Sequence, residues 1–525
     1  MSSNVDERTG RELYEAPYRA AVDAGVGSVM CSFNRINTTY SCANDEGLNK
    51  WLKKDLGFDG FVVSDWGAQH GTVDFALGGL DQEQEWVKNA TYYGPLLAAA
   101  VANGSVPLAR LDDMAFRVLL PMLALNYLAP SPPSANPNAT ANTTEHAALA
   151  HELSAASLVL LTNENHLLPL PNTSITIAVI GYDQQTGGGG SGRVVAPYSV
   201  AIADAVRAEF PAATVAYYNG QNITAAAALA AASDVTVFLA SVWSGEGSDR
   251  ANLSLGCAPW AGAQSCRWWP DQDATLEVVA AAAGGRVVVA LRAPGAVLMP
   301  WLPSVGAVVN QLYGGQDANA VLAGALSGRY NPSGKLTVSF PASMEDTWLS
   351  YPAASGPVNP ASFPGVDRGG GFLEATYAEG LQVGYRWFDA RGTRPLFFFG
   401  HGLSYSNFTY SRLLVSNPLS PATPTCNVTF VMVLSNGPAG GEVAQLYVQS
   451  FREGDPPKAL KGFAYVHLSP EAPSAEVDIP LALEDLRTWD VAAHAWATYP
   501  PGAFTLWVGA SSADLRLAGS VVVSE

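Results

Sequence analysis

Five short apolar runs, separated by Ala-rich or amphipathic stretches, constrain the fold of this chain most tightly. Residues 175–181, 214–218, 235–242, 286–291 and 307–312 are rich in β-branched side chains, without the in–out alternation of a half-exposed strand. Strands of that kind are buried on both faces. With helices between them, and a preceding helix over 146–161, the pattern predicts a parallel or mixed sheet covered on both sides. A further run at 335–340 closes this α/β unit, and its expected span is 145–345.

Residues 1–128 alternate differently. An amphipathic helix is expected over 6–24, a strand over 26–33, a helix over 45–56 opened by Asp45 as its cap, and a strand over 60–65. Residues 73–77 and 93–128 are again mainly helical. This is the βα rhythm of a parallel barrel, but a complete eight-fold barrel takes about 250 residues. The stretch therefore reads as the C-terminal half of a TIM-like barrel, and the chain is expected to begin in mid-barrel. Such an open half would leave apolar faces and strand edges uncovered. A Pro/Ser/Asn-rich linker spans 129–144, and a connecting segment spans 346–404. From 405 to 525, short strands at 427–434, 442–448, 475–479 and 503–508, with Pro/Gly punctuation, predict a β-sandwich.

A formal charge of −18 over 525 residues argues against nucleic acid or an anionic membrane as partner. No apolar run reaches the ~18–20 residues of a membrane span, and the polar N-terminal residues lack the apolar core of a signal peptide. Ten Asn-X-Ser/Thr sequons (Asn37, Asn89, Asn103, Asn138, Asn142, Asn172, Asn222, Asn252, Asn407 and Asn427) nevertheless exceed what composition gives by chance. They favour a secretory origin, extracellular or vacuolar. Five cysteines agree: Cys31 with Cys42, and Cys257 with Cys266, are spaced for local disulfides, leaving Cys426. Scattered buried thiols are the alternative. No Cys/His spacing resembles a metal site.

The segment Leu56-Gly-Phe-Asp-Gly-Phe-Val-Val-Ser-Asp65-Trp66 ends a buried strand in a carboxylate beside a large aromatic. The carboxyl end of a parallel strand is where chemistry is done, although such an Asp also caps helices. Glu246, in Ser244-Gly-Glu-Gly-Ser-Asp-Arg250, likewise follows an apolar run, where a solvated loop is the plain alternative. Gly187-Gly-Gly-Gly-Ser-Gly192 lacks the Gly-Lys-Ser/Thr of a phosphate loop. His70 and His401 read as loop or supporting residues. Trp51, Trp66, Trp243 and Trp268 are candidate aromatic stacking platforms for a ligand, with Trp66 the best placed.

Together with Met30-Cys-Ser-Phe-Asn-Arg-Ile-Asn37, Cys42 and Ala76-Leu-Gly-Gly-Leu-Asp81, the Asp65 segment resembles glycoside hydrolase family 3, closest in flavour to eukaryotic β-glucosidases. Tyr385-Arg-Trp-Phe-Asp389 and Phe399-Gly-His-Gly-Leu-Ser-Tyr405 resemble that family's link into a fibronectin type III-like domain. Lys461-Gly-Phe, Leu486-Arg-Thr-Trp-Asp490 and Val508-Gly-Ala-Ser-Ser512 continue the pattern. The resemblance implies a multidomain α/β plus β architecture: a partial (β/α)8 barrel, an α/β sandwich domain and a fibronectin type III-like β-sandwich.

It implies retaining exo-β-glucosidase chemistry on a small oligosaccharide or β-glucoside, without metal or organic cofactor. Retention needs two carboxylic acids about 5–5.5 Å apart. By resemblance Asp65 is the nucleophile, Glu246 the acid/base in the other domain, and Trp66, Met30 and Phe33 line the sugar pocket. Ser191 is the polar contact from the glycine loop, and Asp249 with Arg250 forms a local ion pair. Ser-Asp65-Trp66 favours a glucosidase over the related β-xylosidases, which tend to have Cys after the Asp.

Two departures stand out. Phe33 replaces a frequent Tyr whose hydroxyl would orient the nucleophile, and Ser248 replaces an aromatic. No Lys-His glycone motif is recognisable. These departures lead to the expectation of impaired turnover, and to the alternative of a non-catalytic carbohydrate-binding or cell-surface protein.

Overall fold

In the computed structural model, strands β1 (Ser28–Cys31) and β2 (Phe61–Ser64) pair in parallel, with Met30 opposite Val63 and Cys31 opposite Ser64. Alternation divides their side chains. Val62 and Ser64 are fully buried and Cys31 nearly so, whereas Met30 on the other face is 51% exposed. The buried face packs on Phe58, Phe75, Leu80, Val106 and Met114. Gly60 permits the close pairing, because a Cβ there would lie 2.3 Å from the Gly27 carbonyl oxygen.

A buried carboxylate fixes β2 in place. Asp81 accepts hydrogen bonds from the Val62 amide (2.8 Å), Lys53 Nζ (2.9 Å) and an Arg110 guanidinium nitrogen (2.7 Å). Burial pushes the Lys53 ammonium down to about 8 against the pull of Asp81. The backbone after Asp81 runs beside β2: the Gln82 amide bonds Val62 O, and the Ser64 amide bonds Gln82 O, both at 3.0 Å. Helix Leu108–Ala124 clamps the far end, with Arg117 donating to the carbonyls of Phe58 and Gly60.

The structure describes residues 1–525 apart from 85–90, 129–135, 137–138, 140–142, 184–187, 192, 194, 248–249, 251, 257–269, 348–364 and 370. The chain divides into two units: Met1–Ala139 with Tyr351–Leu381 and Thr488–Ala497, and Thr140–Ser350 with Gln382–Arg487 and Thr498–Glu525.

Several local expectations are corrected in the first unit. The expected helix over 6–24 is broken into an α-turn at Glu7–Thr9, a π-helical stretch Gly10–Tyr14 and the helix Ala16–Asp23. A Cβ at Gly10 would lie 2.7 Å from the Trp51 ring, so glycine lets this stretch approach the indole. Asp45 does not cap the next helix: its backbone is already helical and its side chain makes no cap bond. Asn44 takes that role, accepting from the Gly47 amide at 2.9 Å. The polar N-terminus is not loose. Ser2–Asn4 is a strand between Arg35–Ile36 and Leu373–Thr376, both parallel to it. The connecting segment 346–404 thus contains strands, and Thr488–Ala497, read as β-sandwich, lies in this unit. There Trp489 and Trp51 cover Arg11, their ring centroids 4.4 and 4.2 Å from its guanidinium carbon.

In the second unit the helix expected over 146–161 ends at Ala156, and the last residues of that stretch open a further strand, β3 (Val159–Asn163). The five apolar runs become β4 (Thr176–Gly181), β5 (Thr214–Tyr218), β6 (Val235–Ser241), β7 (Val287–Arg292) and β8 (Ala307–Asn310). Their order is β3-β8-β7-β6-β4-β5, with only β3 antiparallel. Every residue of β6 and β7 is buried, as expected of strands covered on both sides. From β4 the chain moves outward to β5 and then crosses to β6 on the other side. The strand order therefore reverses between β4 and β6, which opens a crevice at their carboxyl ends.

The β-sandwich stacks a three-stranded sheet (Asn407–Val415, Thr425–Asn436, Ser474–Ala482) on a four-stranded one (Lys458–Leu468, Gly440–Gln449, Gly502–Gly509, Leu515–Val523), all pairs antiparallel. Phe430, Met432, Leu446, Val448, Leu506 and Val508 alternate inward and form its core.

Asp81→Asn leaves the buried Lys53 ammonium without its counter-charge and takes from Arg110 one of its two carboxylate partners, Asp113 remaining. It is expected to cost about 3–5 kcal/mol of stability, seen as a lowered denaturant midpoint at unchanged slope. A loss below about 0.5 kcal/mol, the level of an ordinary surface change, would contradict the role assigned to this carboxylate.

Candidate active site

Asp65 is the first residue beyond β2. Its amide donates to Cys31 O (3.0 Å), which continues the ladder by one step, and its own carbonyl accepts from the Ala68 amide (3.0 Å) to close a tight turn. The Asp65 Oδ1 atom accepts from the Trp66 amide at 2.7 Å. The carboxylate therefore orients its own turn rather than capping a helix. By strand parity Asp65 shares the open face of Met30 and Val63, opposite the buried Val62 and Ser64. Trp66 is 47% exposed and Phe33 53% exposed in the loops after β2 and β1.

Met30 also lines a cavity of about 210 Å³ together with Tyr14, Tyr18 and Trp51. Trp51 lies against Arg11, so that indole is engaged inside the protein. Cys31 and Cys42 are joined in a disulfide, which ties β1 to the turn ahead of helix Glu46–Asp55.

In the second unit, the loop after β6 carries Glu246 at the crevice where the strand order reverses. Tyr313 holds the base of this loop, donating from its hydroxyl to Val242 O (3.0 Å) and accepting from the Ser244 amide (3.1 Å). The glycine-rich loop after β4 runs alongside, with Gly189 bridged to Gly245 in parallel fashion. Side chains are excluded at this contact. A Cβ at Gly189 would meet the Trp243 ring at 2.4 Å, and one at Gly190 would meet the Glu246 Cβ at 2.3 Å. Close approach accounts for Gly189 and Gly190.

Ser191 meets Glu246 directly. Its amide (2.7 Å) and its hydroxyl (2.5 Å) both donate to Glu246 Oε2. These two bonds hold the Glu246 carboxyl below the usual carboxylate range. The hydroxyl expected to contact a ligand thus already has a partner within the chain.

Arg250 donates to Ala296 O at 2.8 Å. Its expected partner Asp249, together with Ser248, Trp268, Cys257 and Cys266, lies outside the described residues. His70 packs on Tyr40 with ring centroids 4.4 Å apart. His401 bonds Leu161 O, and burial lowers its pKa. Cys426 is a buried free thiol, and among the described residues no cluster of His, Cys, Asp and Glu could hold a metal. Tyr313 and Asp81 were not singled out for these roles in the sequence. Tyr313 follows an apolar run at a strand end, which is the available signal.

Residues 2–120 match the glycosyl hydrolase family 3 N terminal domain, residues 158–405 its C-terminal domain, and residues 442–512 a fibronectin type III-like domain. A protein of Aspergillus terreus called "Probable beta-glucosidase L" is 35% identical over all of this chain and 75% of its own length. The structure of a β-D-glucoside glucohydrolase from Trichoderma reesei superposes with a TM-score of 0.86 at 32% identity, covering 100% of this chain and 76% of that one. A Streptomyces venezuelae β-glucosidase, DesR, solved in complex with D-glucose, gives a TM-score of 0.88 at 30% identity over 100% of this chain and 79% of its own.

Gly190→Ala is expected to force the two loops apart. Hydrogen exchange at the Ser191 and Glu246 amides should then accelerate by about tenfold or more, as loops of low local stability do once a tie is lost. Unchanged exchange at both amides would show that the glycine is not needed for the contact.

Proposed function

This chain belongs to glycosyl hydrolase family 3, and we propose that it is a retaining exo-β-glucosidase that removes terminal β-D-glucosyl residues from small oligosaccharides or glucosides. The observation that carries this reading is the placement of two motif-matched carboxylates, Asp65 and Glu246, each just past the carboxyl end of a parallel strand in its own unit. The names of its relatives agree with the activity.

In the proposed reaction Asp65 attacks the anomeric carbon while Glu246 protonates the departing oxygen. Glu246 then takes a proton from the water that releases glucose. Asp65 suits the first role: it is only half buried, and the Trp66 amide orients one of its oxygens. Trp66, exposed beside it, offers an aromatic face to the apolar side of a pyranose. Met30 and Phe33 are proposed as further walls of the glycone site, and Ser191 as its polar contact from the glycine loop.

The chain is further proposed to be a secreted or vacuolar glycoprotein acting on cellulose-derived oligosaccharides or other small β-glucosides. The sequon asparagines among the described residues, Asn37, Asn103, Asn172, Asn222, Asn252, Asn407 and Asn427, are all exposed, and the Cys31–Cys42 disulfide suits an oxidising compartment.

Three outcomes are expected. Asp65→Asn should lower turnover of 4-nitrophenyl β-glucoside by about 10³-fold or more, the scale lost when a nucleophile is removed. Proton NMR of the wild-type reaction should show the β-anomer of glucose first, and first appearance of the α-anomer would exclude a covalent intermediate on Asp65. Secreted from a eukaryotic host, the chain should migrate above its 55.0 kDa until treated with an endoglycosidase; unaltered migration would contradict glycosylation.

A further inference from the structure

The acid in this reaction must be protonated when the glycosidic bond breaks, yet the Glu246 environment favours the opposite state. Its Oε2 atom accepts two hydrogen bonds from one residue, Ser191, and both stabilise the carboxylate. Among the described residues no charged group contributes to that preference. Arg250 directs a guanidinium nitrogen to Ala296 O, and Tyr313 is bonded to Val242 O and the Ser244 amide.

The two residues are held together by backbone. The Gly189–Gly245 bridge joins their loops, the Glu246 amide reaches Gly189 O, and the Arg193 amide closes a turn on Gly190 O. The Ser191 amide is fixed by this frame, but its hydroxyl can rotate. Ser191 and Glu246 are both exposed at the crevice, where an arriving sugar can compete for that hydroxyl.

We propose that Ser191 is the positioning residue for Glu246, clamping one carboxylate oxygen through its amide and hydroxyl and yielding the hydroxyl to a sugar oxygen when substrate binds. The inference rests on the reading of Glu246 as the acid/base. With one donor withdrawn, Glu246 takes up a proton from solvent. It passes that proton to the glycosidic oxygen, which leaves with the bonding electron pair as the Asp65 oxygen bonds the anomeric carbon. Glu246, ionised again, accepts a proton from the water that displaces Asp65; as glucose departs it releases that proton to solvent and the Ser191 hydroxyl returns to Oε2. The clamp thus keeps the free enzyme's carboxylate charged and fixed, and binding itself switches it to the acid.

The test uses the full chain as wild type, Ser191→Ala and Ser191→Thr. The first measurement is the pH at which Glu246 is half-labelled by a water-soluble carbodiimide with an amine, read by peptide mass spectrometry. Ser191→Ala should move this midpoint upward, and Ser191→Thr, which keeps the hydroxyl and the amide, should leave it near the wild-type value. The second is the pH dependence of 4-nitrophenyl β-glucoside hydrolysis, where kcat/KM reports the free enzyme and kcat the complex. In the wild type the alkaline limb of kcat should lie above that of kcat/KM, and Ser191→Ala should narrow the gap.

A labelling midpoint that does not move in Ser191→Ala, or a gap that does not narrow, overturns the clamp. Glu246→Ala with added azide separately tests the underlying reading, because azide, a nucleophile that needs no general base, can displace Asp65 from the anomeric carbon directly and should yield β-glucosyl azide. Absence of that product contradicts the acid/base role itself, and with it the proposal.

Discussion

The first unit depends on a carboxylate that takes no part in the chemistry. Asp81 has a fully buried side chain and joins Lys53, Arg110 and the Val62 amide at one point. Three elements therefore share a single charge: the helix that carries Lys53, the helix that carries Arg110, and the strand that presents Asp65. A buried ion triad of this kind contributes little net stability over an apolar core, but it is costly to break. Its effect is on register. A one-residue slip of β2 would exchange the buried Val62 and Ser64 for Val63 and Asp65, burying the proposed nucleophile against the helices.

The second unit reaches its chemistry by topology and close packing rather than charge. Reversal of strand order between β4 and β6 brings the carboxyl ends of two strands to one crevice. Two loops then have to occupy it without colliding, and glycines at 189, 190 and 245 allow that. Tyr313 from the end of β8 holds the Glu246 loop from behind. A rigid frame with one rotatable hydroxyl at its tip suits a group that changes protonation state during turnover.

Much of this was legible in the amino-acid sequence. The apolar runs of β4 and β6 to β8 became strands covered on both faces, whereas that of β5, at the sheet edge, stays partly exposed. Asp65 and Glu246 were found because strand-end carboxylates in matching motifs are rare. What remained hidden depends on tertiary contact. The broken helix at Gly10 follows from the Trp51 indole that lies against it. The strand at Ser2–Asn4 pairs with residues more than 350 positions away, and its polar composition has no strand signature. Asn44 rather than Asp45 caps its helix, a one-residue difference that local propensity does not resolve. The Ser191–Glu246 contact spans 55 residues and was read as a contact to substrate.

The central claim is that Asp65 forms a covalent bond with the sugar, and trapping that bond tests it most directly. Incubation with 2,4-dinitrophenyl 2-deoxy-2-fluoro-β-D-glucoside, followed by proteolysis and mass spectrometry, should find one fluoroglucosyl group on the peptide carrying Asp65, esterified at that carboxylate. A label on another carboxylate, or fluoroglucose released with no protein adduct at any time, would contradict the account.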